Sequence, residues 1–127
     1  MKDKYGRTVK VMILYRGLGL DYTAINSYIQ MIDTNSFFTF RGFTSTSANK
    51  EKAIGFALKA ESPKIPCLFQ MTVRDKKYNR VYLNTKEYTA YEDEKEVLLG
   101  MVYWKVEDVC KEEDDDFMLI KLKEAHL

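Results

Sequence analysis

The sequence predicts an α+β domain with mainly antiparallel sheets, and three observations carry that expectation. Six or seven stretches alternate in polarity or run apolar at strand length. Only two stretches, Asp21–Asp33 and Lys50–Lys59, carry apolar residues at helical spacing. No repeat, low-complexity segment or linker interrupts the 127 residues, so the chain reads as one domain, large enough for a core without disulfides or metal.

Composition narrows the function classes. Hydrophobic residues make up 46% and aromatics 13%, which is globular and not disordered. Twenty basic residues against nineteen acidic leave a net charge of +1, giving no global attraction to nucleic acid or anionic membrane. No apolar run approaches a membrane span, and no signal-peptide core follows Met1-Lys2-Asp3-Lys4. Two cysteines, Cys67 and Cys110, are too few and too distant for a secreted disulfide framework. A reducing compartment is the expectation.

The elements follow in order. Thr8–Arg16 alternates with both faces largely apolar, predicting a central strand that Gly17 and Gly19 stop, with Arg16 at its end. Asp21 caps a helix striped by Tyr22, Ile25, Ile29 and Ile32. Phe37–Phe43 reads as an aromatic-rich strand leading into Thr44-Ser45-Thr46-Ser47. Asn49 or Ser47 caps the second helix, whose Ala53, Ile54, Ala57 and Leu58 face inward. Ser62–Pro66 is a connector, and Cys67–Arg74 and Arg80–Leu83 are strands. Asn84–Asp93 is a polar loop. Lys95–Val109 is strand-like with a break at Gly100, and Phe117–Lys123 is the last strand.

The usual catalytic constellations are missing. His126 is the lone histidine and lies one residue from the end, which nearly excludes Ser-His-Asp and Cys-His sites; with two cysteines it builds no zinc site. Asp114-Asp115-Asp116 lacks the glycine and downstream glutamate of a calcium loop and reads as a solvated turn. There is no glycine-rich phosphate loop. Three polar elements remain, each at the end of a strand in an otherwise apolar setting: Arg16, Ser45-Thr46-Ser47, and Glu94-Lys95-Glu96 before Val97-Leu98-Leu99. Taken singly, each has a bland reading as a capping charge, a polar edge or a solvated turn. Glu94 and Glu96 share a face if extended, and two such carboxylates are best explained by a cation opposite them.

Taken together, Y-R-G at Tyr15–Gly17, G-F-T-S-T-S at Gly42–Ser47 and Y-x-x-E-x-E-V-L-L at Tyr91–Leu99 resemble the arginine–serine–glutamate class of mono-ADP-ribosyltransferases. That class includes clostridial-type actin-modifying toxins and vertebrate arginine-specific ecto-enzymes. The resemblance runs over about residues 8–124. It implies the ADP-ribosyltransferase-like fold, two mainly antiparallel sheets around an NAD cleft with few short helices. It also implies NAD as co-substrate, no metal, and a protein acceptor as partner. No nucleic acid partner is expected, and a monomer is.

The resemblance further implies residue roles. Arg16 grips the NAD phosphates, which suits a planar, permanently charged fork. Gly17 holds the nicotinamide carboxamide through its backbone. Ser45 braces Glu96 and the nicotinamide ribose, while Thr46 and Ser47 shape the strand end. Glu96 binds the ribose hydroxyl and stabilises positive charge as the glycosidic bond breaks. Glu94 orients an acceptor guanidinium and helps remove its proton, and Tyr91 sits on the acceptor-recognition loop. Tyr91 reads equally well as an aromatic packing that loop, and Phe40, Phe43 and Tyr15 read as core. An NAD glycohydrolase using the same residues, and a domain that binds NAD or a partner without turnover, stay open as alternatives. Many family members carry helices ahead of the arginine strand. Here about seven residues precede it, so either the cleft is more open or the chain is a fragment. A cytoplasmic or delivered protein is expected.

Overall fold

The computed structural model describes residues 1–34, 36–41, 44–74, 80–82, 96–100 and 102–127, with backbone alone at 80–82 and 96–98. Its elements are β1 (Val11–Leu20), α1 (Tyr22–Met31), β2 (Thr44–Ser47), α2 (Lys50–Ala57), β3 (Ile65–Arg74), β4 (Arg80–Tyr82), β5 (Glu96–Leu99), β6 (Trp104–Cys110) and β7 (Met118–Glu124). This is the α+β element content that the periodicities predict. The strands run in the order β4-β5-β2-β1-β3-β7-β6, with β1 in the centre as its two apolar faces require. All pairs are antiparallel except β3 with β7.

Where the sequence suggests two sheets, the described strands hydrogen-bond in one continuous order, joined at a narrow seam. β1 and β3 are matched over ten register pairs from Val11↔Arg74 to Leu20↔Ile65. β1 and β2 share a single pair, Tyr15↔Ser47. The order therefore divides into a block of β4, β5 and β2 and a block of β1, β3, β7 and β6 that part beside Arg16.

β1 corrects an expectation. The strand does not stop at Gly17 but runs to Leu20, so Arg16 lies inside it and not at its end. The glycines serve helix packing instead. A Cβ on Gly17 would overlap the Ala53 carbonyl oxygen, and one on Gly19 would lie 2.7 Å from the Ala60 Cβ. α2 therefore rests almost on the β1 backbone. So close an approach admits alanine at the contact, which is why Ala53 and Ala57 are buried while Leu58, expected inside, is 49% exposed.

Both helices are capped as the sequence predicts. The Asp21 carboxylate accepts the Ala24 N–H at 2.9 Å, and the Asn49 side chain accepts the Lys52 N–H at 3.3 Å. The stripe of α1 is rotated from the expected one. Ile25 is buried and Tyr28 and Ile32 pack on the core, whereas Tyr22 and Ile29 are exposed. The spacing 25, 28, 32 is equally helical, and the aromatic surface below selects the face that offers Tyr28.

The main core gathers Leu14, Phe69, Met71, Val73, Trp104, Val106, Ile120 and Leu122 on the α1 side of the sheet, and a smaller cluster holds Ala53, Leu68 and Phe117 under α2. Of the expected strand Phe37–Phe43, residues 42 and 43 lie outside the described residues, and the described part, 37–41, forms one bridge, Phe38 with Trp104. Phe38 and Phe40 pack against the core, while Phe37 is exposed beside the His126 ring. β3 begins two residues earlier than expected, at Ile65, with Pro66 opposite Gly19 near the end of β1.

Candidate functional site

The three motifs fall on three neighbouring strands, β1, β2 and β5. A line of register partners crosses them: Tyr15 opposite Ser47, and Ser47 opposite Glu96. Ser45 stands opposite Leu98 two pairs further along β2. Arg16 follows Tyr15, at the point where the single β1–β2 pair has ended. Long-range pairing thus brings together backbone positions that lie far apart in the chain.

The side chains are distributed by strand alternation. Within β2, Thr44, Thr46 and Ser47 are buried while Ser45 is exposed. Of the expected hydroxyl set, Ser45 is therefore the one open to solvent. Thr46 is an inward residue that shapes the strand. The Ser47 hydroxyl accepts the Asn49 N–H at 2.9 Å, tying the end of β2 to the start of α2.

Arg16 projects from the α1 side of β1, the side of its register partner Phe69. Its guanidinium carbon lies 5.9 Å from the centroid of the Phe40 ring, within the range of a cation–π contact. Burial pushes the Tyr28 hydroxyl above its ordinary pKa, and the Arg16 charge nearby offsets part of that rise. Gly17 points the other way, toward α2, with the packing reason already given. Tyr15 packs on the small cluster and Phe40 on the main one, as expected of core aromatics; the Lys50 ammonium lies 5.9 Å from the Tyr15 ring.

Glu94, Tyr91, Gly42 and Phe43 lie outside the described residues, and Glu96 is described by its backbone alone. Among the described residues no group of three or more His, Cys, Asp and Glu side chains is placed to hold a metal ion. No described helix is long and apolar enough to cross a membrane.

Sequence reasoning missed two features. The contact of Phe40 with Arg16 leaves no spacing signal, because it joins a strand to an irregular segment. The close seat of α2 was signalled, by Gly17 and Gly19 together with the alanines at 53, 57 and 60.

No protein-family model matches the chain, and no curated protein matches it significantly by sequence. Solved structures do match. The ADP-ribosyltransferase HopU1 of Pseudomonas syringae superposes with a TM-score of 0.66 at 19% identity, over 92% of this chain and 47% of that one. The ADP-ribosyltransferase Vis of Vibrio splendidus, in its complex with agmatine, gives 0.57 at 16% identity, over 95% and 52%. Exoenzyme S of Pseudomonas aeruginosa, solved with a 14-3-3 protein and carba-NAD, gives 0.60 at 18%, over 94% and 51%. The chain spans about half the length of these neighbours. It has the ADP-ribosyltransferase fold.

Proposed function

We propose that the chain transfers ADP-ribose from NAD to an arginine side chain of a protein acceptor, releasing nicotinamide. The observation that carries this reading is the line Tyr15–Ser47–Glu96 across three strands, with Arg16 beside it where β1 and β2 part. A cation, an exposed hydroxyl and a carboxylate-bearing position fall on the neighbouring strands β1, β2 and β5, and a protein of similar fold, Exoenzyme S, was solved bound to carba-NAD. The agmatine bound to Vis carries a guanidinium, which supports an arginine acceptor. Glu94, two residues before Glu96, supplies the acceptor-side carboxylate in this reading.

The chemistry follows from charge. NAD carries a cationic nicotinamide, so breaking the ribose–nitrogen bond sends the electron pair to the ring and nicotinamide departs neutral without a protonating acid. Positive charge then appears on the ribose as an oxocarbenium-like centre. A carboxylate at position 96 holding the ribose hydroxyl stabilises that charge more than the ground state, which makes its contribution catalytic. Arg16 fixes the diphosphate, and Ser45 braces the glutamate and the ribose. The acceptor guanidinium attacks the opposite face, inverting the carbon, and gives its proton to Glu94. The absence of a second histidine is no obstacle to such a reaction. In this reading the whole protein is a delivered effector, in keeping with the description of Vis as a toxin.

Incubation with labelled NAD and cell lysate, followed by mass spectrometry of modified peptides, tests the proposal. Label on arginine supports it. Label appearing solely as free ADP-ribose makes the chain a glycohydrolase, and label on another residue type overturns the acceptor.

A further inference from the structure

Four aromatic rings on the α1 side of the sheet form a closed circuit. Phe40 meets Phe38 at 5.3 Å and 89°, and meets Phe69 at 5.6 Å and 56°. Tyr28 closes the ring, 5.6 Å from Phe38 and 5.5 Å from Phe69, both edge-on. Each ring has two ring neighbours, so none turns without disturbing the next. The four come from three separate elements: α1, the segment before β2, and β3.

Arg16 sits against this circuit from two directions. Its backbone is held beside Phe69 by the β1–β3 register, and its guanidinium lies against the ring of Phe40. We propose that Phe40 is a positioning residue, whose braced ring holds the Arg16 guanidinium in the pose that grips the NAD diphosphate. A guanidinium is weakly hydrated and planar, so an aromatic face suits it, and both of its edges stay free for bidentate bonds to phosphate oxygens. A free arginine side chain loses several rotors on gripping a ligand. One already laid on a fixed ring loses fewer, and that difference appears as affinity for NAD.

This inference rests on the reading of Arg16 as the phosphate-binding cation, and the test separates the two. NAD binding is measured by calorimetry for the wild type, Phe40→Leu, Phe40→Tyr, Arg16→Met and the double variant Arg16→Met/Phe40→Leu, with melting temperatures alongside. Leucine keeps the apolar bulk and removes the aromatic face. Phe40→Leu is expected to weaken NAD binding about two- to thirtyfold, the range of a cation–π contact. Phe40→Tyr is expected to restore binding, and Phe40→Leu to have no further effect once Arg16 is methionine. Phe40→Leu binding NAD like the wild type, or losing the same factor in the Arg16→Met background, overturns the proposal. A wild type that binds no NAD sinks the function reading instead. The positioning is then judged by the NMR shift of the Arg16 Nε–H, which Phe40→Leu moves if the ring lies against it and leaves unmoved if it does not.

Discussion

Ser47 on β2 is the register partner of Glu96 on β5, and on its other side the partner of Tyr15 on β1. Residues some thirty to fifty positions apart in sequence are thereby set strand-to-strand at about 5 Å. The arrangement makes β2 the hinge of the site. It carries the exposed Ser45, anchors α2 through the Ser47 hydroxyl, and forms the seam between the two strand blocks.

Gly17→Ala is expected to destabilise the fold by about 1–3 kcal/mol, the usual cost of overpacking a close contact, because the added carbon overlaps the Ala53 carbonyl and backbone must move. Gly55 is the control. A Cβ there meets nothing within 4 Å, so Gly55→Ala inside α2 stabilises by about 0.5–1 kcal/mol through helix propensity. Urea unfolding of the two variants checks opposite signs for the same chemical change.

Asp3 carries a pH-dependent tie of the amino-terminal segment. Burial by itself would raise its carboxyl, but the Arg7 and Tyr5 N–H groups and the Arg7 guanidinium outweigh that and hold it below its ordinary value. A depressed folded pKa contributes stability above the unfolded value, and that contribution is lost as pH falls through the folded one. Asp3→Asn is therefore expected to be less stable than the wild type at pH 7. The difference shrinks as pH drops below about 4, where the unfolded carboxyl begins to protonate. Unfolding curves at pH 7 and pH 3 measure it.

Cys67 is fully buried, and burial pushes its thiol up to about 11. The thiolate is the reactive form, so alkylation at pH 8 in native buffer is expected to modify the half-buried Cys110 first. Cys67 then reacts only after unfolding. Peptide mapping over time reads the order directly, and equal rates would show that the β1–β3 ladder opens locally.

Several of these features were legible before the fold was known. Alternation in Thr8–Arg16 located the central strand, Asp21 announced the first helix start, and the second was narrowed to Asn49 or Ser47, of which Asn49 is the cap, because capping is local chemistry. The extent of β1 was not legible. Glycine ordinarily ends a strand, and here tertiary contact with α2 overrides that preference at Gly17 and Gly19. The buried stripe of α1 was misassigned because Tyr22 and Tyr28 both fit a helical stripe, and only the aromatic circuit decides between them. Of the candidate site, residue types and order were visible in the sequence. The pairing of Ser47 with Glu96 and the turn of Arg16 toward Phe40 depend on register and on non-local packing, which no short motif encodes.

The central claim is that position 96 carries the carboxylate that stabilises charge as NAD is cleaved. Nicotinamide release from NAD, followed by chromatography for the wild type and for Glu96→Gln, tests it most directly. Glutamine keeps the shape and removes the charge, so release is expected to fall by about a hundredfold or more, with NAD affinity changed by only a few-fold. A Glu96→Gln variant that releases nicotinamide at the wild-type rate would contradict the account.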